Sequence, residues 1–481
     1  MPCLCLSEAK GMIKTMRDYE IKIEPFDYIA LKELRIAREI NCHAAAKIMM
    51  RIKDNLEEQY MDTLMNQTWV RITAVDKEEE SAVHTVLFHG IVTDFSFTRD
   101  GYETILTLEL KSGTVLMDLK PHFRVFQNEE ALCTSIHQKI AGTYTGGRAT
   151  CTEGEQDRTM GTLIQYQETD WEFLRRLAGR TGMYLVADAL TEGAGYTIGM
   201  PKGRKRTAET DRIQLRMDFG EYMEKSRNGM SSIQPSDLME LVLTGREIYQ
   251  MGDLTSYLGK DYLVSRIITV YKEAECSHEY TFRTREALRV LPAWHKELTG
   301  CSFDAVISAV MKDKVQVEIK DDEWKASDGK KWFLYSTVYS SPDGTGWYCM
   351  PEPGDSVRLY VPEKEEDSFI ISAVHKETDS ARQNPDYKSL KTKYGKEILF
   401  TPDSILMTNN QGMMVEMNDS EGITITSDKD IVIQAKENLT VASGSESLLI
   451  AADDKVQVKQ GGTTMTLSGD ISFTGGEFRI Q

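Results

Sequence analysis

Histidine, cysteine and acidic side chains are the groups in this sequence that could bind a metal ion or act as a catalytic base. Eight histidines and eight cysteines are spread along 481 residues, and no two cysteines form a Cys-x-x-Cys pair. His84 and His89 are five residues apart in a predicted strand, and Cys42 and His43 are adjacent, so neither pair shares a face. Asp321–Glu323 could hold a cation, but a solvated loop is the favoured interpretation. The sequence therefore predicts no metal site and no cofactor.

Motifs for catalysis are also missing from the sequence. Ser443 and Ser445 flank a glycine but lack the outer glycines of a nucleophile elbow, and His295 does not belong to a His-Glu-x-x-His helix. The glycine-rich stretch 142–148 has no Gly-Lys-Ser or Gly-Lys-Thr, so it predicts a turn after a helix rather than a phosphate-binding loop. We therefore predict that the chain is not an enzyme.

A repeat fills the C-terminal segment from Glu421 to Gln481. Each unit has two apolar residues at positions i and i+2, followed by a polar or glycine-containing turn, and the units recur every six to nine residues. Alternation with a period of two is typical of a strand with one buried face, and its repetition is typical of a stacked β array. The pairs are Ile423/Ile425, Ile431/Ile433, Leu439/Val441, Leu448/Ile450, Val456/Val458, Met465/Leu467, Ile471/Phe473 and Phe478/Ile480.

Three arrangements could bury these apolar pairs. A single-chain solenoid needs three sides, with corners that recur at a longer period than one strand of about five residues and its turn. Three chains could instead supply one side each and wind around a common axis, which leaves few strand edges open. A β-sandwich is the third arrangement, but its strands rarely show such uniform pairs. The intertwined needle is favoured, and the pairs from Ile423/Ile425 to Ile471/Phe473 are predicted to form its core and trimer interface.

Composition restricts the classes of partner and location. A chain of 481 residues with 41% apolar content can hold two to four domains with buried cores. A net charge of −18 argues against nucleic acid, because phosphate binding needs a basic surface. The longest apolar runs fall far short of the roughly 20 residues of a membrane helix. Residues 1–10 lack the pattern of a signal peptide, and the scattered cysteines fit folding in a reducing cytosol.

Strands and three helices are predicted before the repeat, and the first helix is a short one at Asp54–Met65. Alternating β-branched and aromatic residues between positions 19 and 120 predict an antiparallel barrel or half-barrel. A helix is predicted over Glu129–Ala141, where apolar residues recur four apart. Thr169 and Glu172 predict a capping box at the start of a third helix. Trp171 lies on the apolar stripe of that helix, where core packing is favoured over a contact between subunits.

Five short strands are predicted between residues 300 and 376. Their order and length are typical of an OB-like barrel, and a strong turn at Pro351–Asp355 precedes the fourth strand. Residues 377–394 are rich in lysine, aspartate and serine and predict a linker to the repeat.

The block Gln165–Leu177 reads QYQETDWEFLRRL and is followed by Gly182–Tyr184. It resembles the signature of VgrG proteins, the spike proteins of type VI secretion and related contractile injection systems. Phe88–Val92 and Gly259–Ile267 are similar to segments of the family's two barrels, and Tyr348–Val357 is similar to its OB segment. These matches follow the family's order along nearly the whole chain.

The resemblance implies a mainly β fold with two hub β-barrels and inserted helices, an OB-fold barrel and a C-terminal intertwined trimeric β-helix needle. The expected domains are hub β-barrel 1 at 1–120, helices and hub β-barrel 2 at 121–298, the OB-fold at 299–376, the linker at 377–394 and the needle at 395–481.

The function that the resemblance implies is that of a trimeric, non-enzymatic hub and spike. Six barrels from a homotrimer would match a six-fold inner tube of an Hcp-like protein, and baseplate proteins would surround them. A PAAR-like tip protein, possible effectors and, transiently, the envelope of a target cell are the other implied partners. The candidate residues for binding the tip are Phe478, Arg479, Ile480 and Gln481. The implied location is the bacterial cytoplasm, followed by injection on contraction without a signal peptide.

The sequence departs from related spikes in two places. The spike of phage T4 carries a lysozyme domain before its needle, and residues 377–394 leave no room for one. Some phage spikes bind iron through His-x-His at the apex, and no histidine follows His375. A polysaccharide-degrading β-solenoid and a glycan-binding adhesin remain alternatives. Both are weakened, because the acidic residues of the array fall mainly in turns and its two aromatic residues occupy core positions.

Overall fold

The computed structural model describes residues 19–76, 84–159, 161–207, 212–325, 329–371 and 383–474. Strands dominate these residues, and the predicted mainly β class is confirmed. The chain divides into two compact units, Met1–His375 and Lys376–Gln481. None of the described helices is both long and apolar enough to span a membrane.

The first unit contains most of the regular structure. Its described strands are β1 (Tyr19–Glu24), β2 (Ala30–Glu39), β3 (Ala45–Ile52), β4 (Trp69–Asp76), β5 (His84–Asp100), β6 (Glu103–Lys111), β7 (Pro121–Phe126), β8 (Arg148–Cys151), β9 (Leu163–Thr169), β10 (Leu185–Ala187), β11 (Gly195–Ile198), β12 (Arg212–Met217), β13 (Met239–Gly245), β14 (Leu254–Tyr257), β15 (Lys260–Lys272), β16 (Glu275–Arg283), β17 (Ser302–Met311), β18 (Lys314–Ile319), β19 (Phe333–Leu334), β20 (Ser356–Tyr360) and β21 (Phe369–Ile371). Its α-helices are α1 (Glu57–Leu64), α2 (Cys133–Ala141), α3 (Asp170–Arg180), α4 (Phe219–Arg227) and α5 (Arg285–Leu288).

One large antiparallel sheet joins the N-terminal strands to the strands that follow α4. Its order is β1-β4-β5-β6-β3-β2-β15-β16-β13-β12, and β14 lies beside β15. The two halves meet where β2 pairs with β15, from Glu39 opposite Arg266 to Glu33 opposite Lys272. Each half has its own buried cluster, one around Ile48 and one around Val264. A single sheet thus carries two apolar cores.

The alternating pattern of β3 shows why these segments form strands. Every second side chain of Ala45–Ile52 is buried while its neighbours are open or half-open, as expected for a strand with one face on a core. The sequence missed β2, because Ala30–Glu39 is rich in Lys, Glu, Arg and Leu, which favour a helix. Pairing with β3 and β15 outweighs that preference.

The helix α3 begins as the sequence predicts. The Thr169 hydroxyl accepts a hydrogen bond from the Glu172 amide at 3.2 Å, and the Glu172 carboxylate accepts one from the Thr169 amide at 2.9 Å. Trp171 is 2% exposed and lies 4.8 Å from the ring of His43 between centroids, so core packing accounts for it. The helix predicted over Glu129–Ala141 starts later, at Cys133.

A separate five-stranded sheet occupies residues 302–371. Its order is β19-β18-β17-β20-β21, and a parallel bridge between Tyr335 and Ile370 connects its outer strands. The core contains Val315, Phe333 and Leu359. Strand β19 is much shorter than the predicted Trp332–Tyr339, because the chain turns away into a loop closed by a bridge between Ser340 and Gly346.

The second unit consists of two antiparallel meanders. The first contains β22 (Lys388–Lys391), β23 (Glu397–Phe400), β24 (Ser404–Thr408), β25 (Met414–Asn418) and β26 (Gly422–Thr426); the second contains β27 (Val456–Gln460), β28 (Thr463–Ser468) and β29 (Asp470–Thr474). Residues 427–455 between them form neither helix nor strand. Strand β22 lies within 377–394, the segment predicted as a linker.

Candidate assembly surface

The apolar pairs of the repeat lie at the surface of the single chain. Ile423 is 72% exposed, Ile433 is 70% exposed and Ile450 is 69% exposed. The other predicted needle residues with described side chains are also exposed or half-buried: Ile425, Ile431, Leu439, Val441, Leu448, Val456, Val458, Met465, Leu467 and Ile471. Exposed apolar arrays of this extent mark sites of interaction.

Strand pairing places part of this array in rows. In the second meander Val456 lies opposite Leu467, which lies opposite Ile471. Val458 lies opposite Met465, which is paired with Phe473 in the backbone register. The period-two alternation therefore puts these pairs on one face, as predicted from the sequence.

Three pairs have no strand in the single chain. Ile431/Ile433, Leu439/Val441 and Leu448/Ile450 lie within residues 427–455. Backbone amides and carbonyls that are not paired within a chain remain available to another chain. The candidate tip residues Phe478–Gln481 lie outside the described residues.

A buried ion-pair network fixes α3 to the five-stranded sheet of the first unit. Glu365 is 3% exposed and accepts hydrogen bonds from Arg176 and Arg180, each at 2.6 Å. Arg176 also binds Glu168 at 2.7 Å. Burial alone would lower the pKa of Arg176, but the carboxylates of Glu365 and Glu168 raise it overall. This contact could not be predicted from local sequence patterns, because Arg176 and Glu365 are 189 residues apart.

The acidic segment Asp321–Glu323 belongs to a second contact of the same kind. Asp322 is 3% exposed, and its carboxylate accepts hydrogen bonds from the amides of Val125 and Trp324. Glu323 lies 2.8 Å from His122 Nδ1 and 3.3 Å from Arg124 Nε. The prediction of a solvated loop was wrong for Asp322, because its buried carboxylate satisfies amide donors of β7 and of the turn after β18. Asp321 and Glu323 are exposed, as predicted.

Two buried histidines, His137 and His278, are held in hydrogen-bonded positions inside the first unit. Burial lowers the pKa of His137 to about 3 and that of His278 to about 4. His137 Nδ1 lies 3.0 Å from the Tyr196 hydroxyl, and His278 Nδ1 lies 2.8 Å from the Thr269 hydroxyl. Among the described residues, no group of three or more His, Cys, Asp or Glu side chains is arranged to hold a metal ion.

One segment of the chain matches a known protein family in sequence, and most of the chain matches solved structures in fold. Residues 68–221 match the family described as phage tail baseplate hub (GPD). A chain of the lidded Francisella PdpA–VgrG complex superposes with a TM-score of 0.54 at 10% identity, over 86% of this chain and 80% of that chain. The half-lidded form gives a TM-score of 0.53 at 12% identity, over 85% of this chain and 88% of that chain. The chain shares the fold of the matching chains of these PdpA–VgrG complexes.

The predicted resemblance to VgrG proteins is confirmed by the baseplate-hub match and by the fold shared with the Francisella complexes. The E. coli c3393 protein, described as a component of the type VI secretion system with similarity to the T4 tail proteins gp27 and gp5, aligns at a TM-score of 0.49 and 11% identity, over 73% of this chain and 99% of that chain. No curated protein matches the chain in sequence.

Proposed function

We propose that this VgrG-type chain forms the trimeric hub and spike of a contractile injection system. It caps the inner tube, punctures the target envelope and carries a tip protein or effectors. The chain assembles in the bacterial cytoplasm and leaves on contraction. The observation that carries this proposal is the exposed apolar array of the second unit, which a second and a third copy would bury.

The energetics favour assembly through this array. Each aliphatic side chain transferred from water into a core contributes about 1.5–3 kcal/mol before entropy is subtracted. Ile431, Ile433 and Val441 are 54%, 70% and 63% exposed in the single chain, so most of this free energy is not realised there. Strands supplied by neighbouring copies would bury these side chains and pair the backbone of residues 427–455. The resulting needle would resist axial force, because one chain could not unfold without losing contacts with two others.

The remaining domains support the hub part of the proposal. The five-stranded sheet of residues 302–371 supports an OB-like barrel, which the bridge between Tyr335 and Ile370 would close. The two apolar cores on the large sheet would correspond to two hub barrels per chain, and a trimer would then present six barrels to a six-fold Hcp-like tube. Baseplate proteins and a PAAR-like tip, bound near Phe478–Gln481, complete the proposed partners.

A charged substitution in the array tests the proposal. Ile431→Asp and Val456→Asp would each place three like charges near one axis, so we expect loss of the trimer on size exclusion with light scattering. The matched control is Ser445→Asp, which adds the same charge at an exposed bend position. Normal trimers from both Ile431→Asp and Val456→Asp would overturn the intertwined needle.

A further inference from the structure

A hairpin between β19 and β20 exposes aromatic side chains on the first unit. Tyr339 is 50% exposed, Trp347 is 55% exposed and Tyr348 is 74% exposed, and Val338 beside them is also open to solvent. We call residues 337–348 the aromatic hairpin. Exposed apolar side chains that lie together in this way mark sites of interaction.

Hydrogen bonds hold the aromatic hairpin in one conformation. The Trp347 amide donates to the Tyr339 carbonyl at 2.8 Å, and the Thr337 hydroxyl donates to the Trp347 carbonyl at 2.7 Å. A bridge joins Ser340 to Gly346 nearer the tip. A Cβ atom at Gly346 would clash with the Tyr339 carbonyl oxygen, so the two sides approach this closely because residue 346 is glycine.

The two phenol hydroxyls are also engaged. The Tyr348 hydroxyl donates to the Lys312 carbonyl, in the turn between β17 and β18, at 2.9 Å. The Tyr339 hydroxyl accepts a hydrogen bond from the Ser341 hydroxyl at 3.3 Å. Because these bonds fix the rings before any ligand arrives, a ligand that stacks on them costs the protein little conformational entropy.

The aromatic hairpin carries almost no charge. Between Lys331 and Glu352 the sequence has one charged residue, Asp343, although 27% of the whole chain is charged. Nucleic acid and anionic lipid both need a basic surface, so neither fits this hairpin. Ser340 and Thr345 add exposed hydroxyl groups near the tip. A matching ligand is therefore uncharged and combines apolar faces with hydrogen-bonding groups.

The size of the hairpin separates the remaining classes of ligand. A stable protein interface takes about 20–30 residues from each side, whereas the hairpin presents three exposed rings and one valine. An oligosaccharide needs far less area, because one aromatic ring covers one sugar ring. Loops of OB-like barrels bind oligosaccharides in other proteins. The repeat array, which is proposed to bind other copies, instead exposes aliphatic side chains such as Ile423 and Ile433.

We propose that the aromatic hairpin binds an uncharged oligosaccharide of gluco-configured sugars. In these sugars the hydroxyl groups are equatorial, and the axial C–H groups form apolar faces. The faces stack on Tyr339, Trp347 and Tyr348, while the equatorial hydroxyls bond the Ser340 hydroxyl and the Asp343 carboxylate at the rim. This site adds recognition of an envelope polysaccharide to the proposed spike, and it does not depend on the trimer.

Saturation-transfer NMR on the full-length chain tests the proposal, with cellohexaose and chitohexaose as probes. Saturation is expected to reach the C–H groups of the sugars. Trp347→Ala and Tyr348→Ala should each weaken binding by about ten-fold, because each removes one stacking surface. Trp347→Phe, which keeps an aromatic ring, should retain most of the affinity. The matched controls are Trp294→Ala and Tyr102→Ala, which remove exposed rings elsewhere on the first unit and should leave binding unchanged.

A backbone variant provides a second readout. Gly346→Ala keeps all three rings but forces the two sides of the hairpin apart, because the added Cβ meets the Tyr339 carbonyl oxygen. Affinity for the hexamers should fall several-fold in a chain with the parent melting temperature. Unchanged affinity in Gly346→Ala would contradict binding by rings that the hairpin positions.

Each outcome decides the proposal. Hexamer binding that is lost in Trp347→Ala and kept in Trp294→Ala supports it. Saturation transfer to neither hexamer, or equal transfer from Trp347→Ala, overturns it. If the parent chain binds neither hexamer and Trp347→Ala changes the solution mass, the hairpin is a contact between copies instead. The solution mass of the parent chain reports on the proposed spike separately, so the two proposals fail independently.

Discussion

At the scale of residues, buried ion pairs connect separate elements of the first unit. Arg176 and Arg180 of α3 share the carboxylate of Glu365, and Arg124 of β7 binds Asp170 at 2.6 Å and Glu323 at 3.3 Å. A buried ion pair need not stabilise a fold relative to apolar residues, but removal of one partner leaves a desolvated charge. In the proposed spike, contacts that require much free energy to separate would help the first unit to resist the applied force.

Glu365→Gln should therefore be strongly destabilising. It leaves Arg176 and Arg180 without their shared carboxylate, and we expect the free energy of unfolding to fall by about 3 kcal/mol or more. The control is Glu318→Gln, which removes an exposed pair with Lys330 and should cost less than about 1 kcal/mol. Denaturant unfolding of the first unit measures both, and equal losses would contradict a special role for the buried network.

Two buried histidines make stability depend on pH. The pKa of His137 is lowered to about 3 and that of His278 to about 4, while an unfolded histidine has a pKa of about 6.5. Between pH 6.5 and 4 the unfolded chain therefore binds protons that the folded chain does not. As the pH is lowered through this window, the free energy of unfolding is therefore expected to decrease by up to about 1.4 kcal/mol per pH unit for each histidine.

His278→Asn tests this linkage, because its side-chain amide can still bond the Thr269 hydroxyl. Thermal unfolding between pH 7 and pH 5 should depend less on pH in the variant than in the parent chain. An unchanged pH dependence in both His278→Asn and His137→Asn would show that these histidines are not responsible.

At the scale of elements, sequence patterns predicted the strands and helices whose conformation is determined by neighbouring residues in the chain. The alternation of Ala45–Ile52 gave β3 with its observed bounds, and Thr169 with Glu172 marked the start of α3. Strand β2 was missed, because pairing with distant strands decides its conformation. The contacts of Glu365 and Asp322 were missed for the same reason, since their partners are nearly 200 residues away.

The capping box can be tested at this scale. Thr169→Ala removes the bond to the Glu172 amide and a further bond to Asp118, and should lower the free energy of unfolding by about 1–2 kcal/mol. Thr63→Ala, which removes only a bond to the carbonyl of Gln59 within α1, should have a smaller effect. Comparison of the two denaturant midpoints decides whether the cap contributes as proposed.

At the scale of the whole molecule, the apolar pairs of the repeat are not buried within the single chain. Four of its apolar pairs lie in strands β26 to β29, and three lie in residues 427–455 without a strand. The sequence revealed the periodicity because it is repeated, but the single chain leaves the apolar pairs exposed. The proposed trimeric needle would place their neighbours in other copies.

The solution mass of the full-length chain is the most direct test of this account. Size exclusion with light scattering should give three times the 54.5 kDa of one chain, and the mass should persist on dilution. A stable, folded monomer at 54.5 kDa would contradict the intertwined needle, and would mean that the repeat closes on itself or needs other partners to assemble.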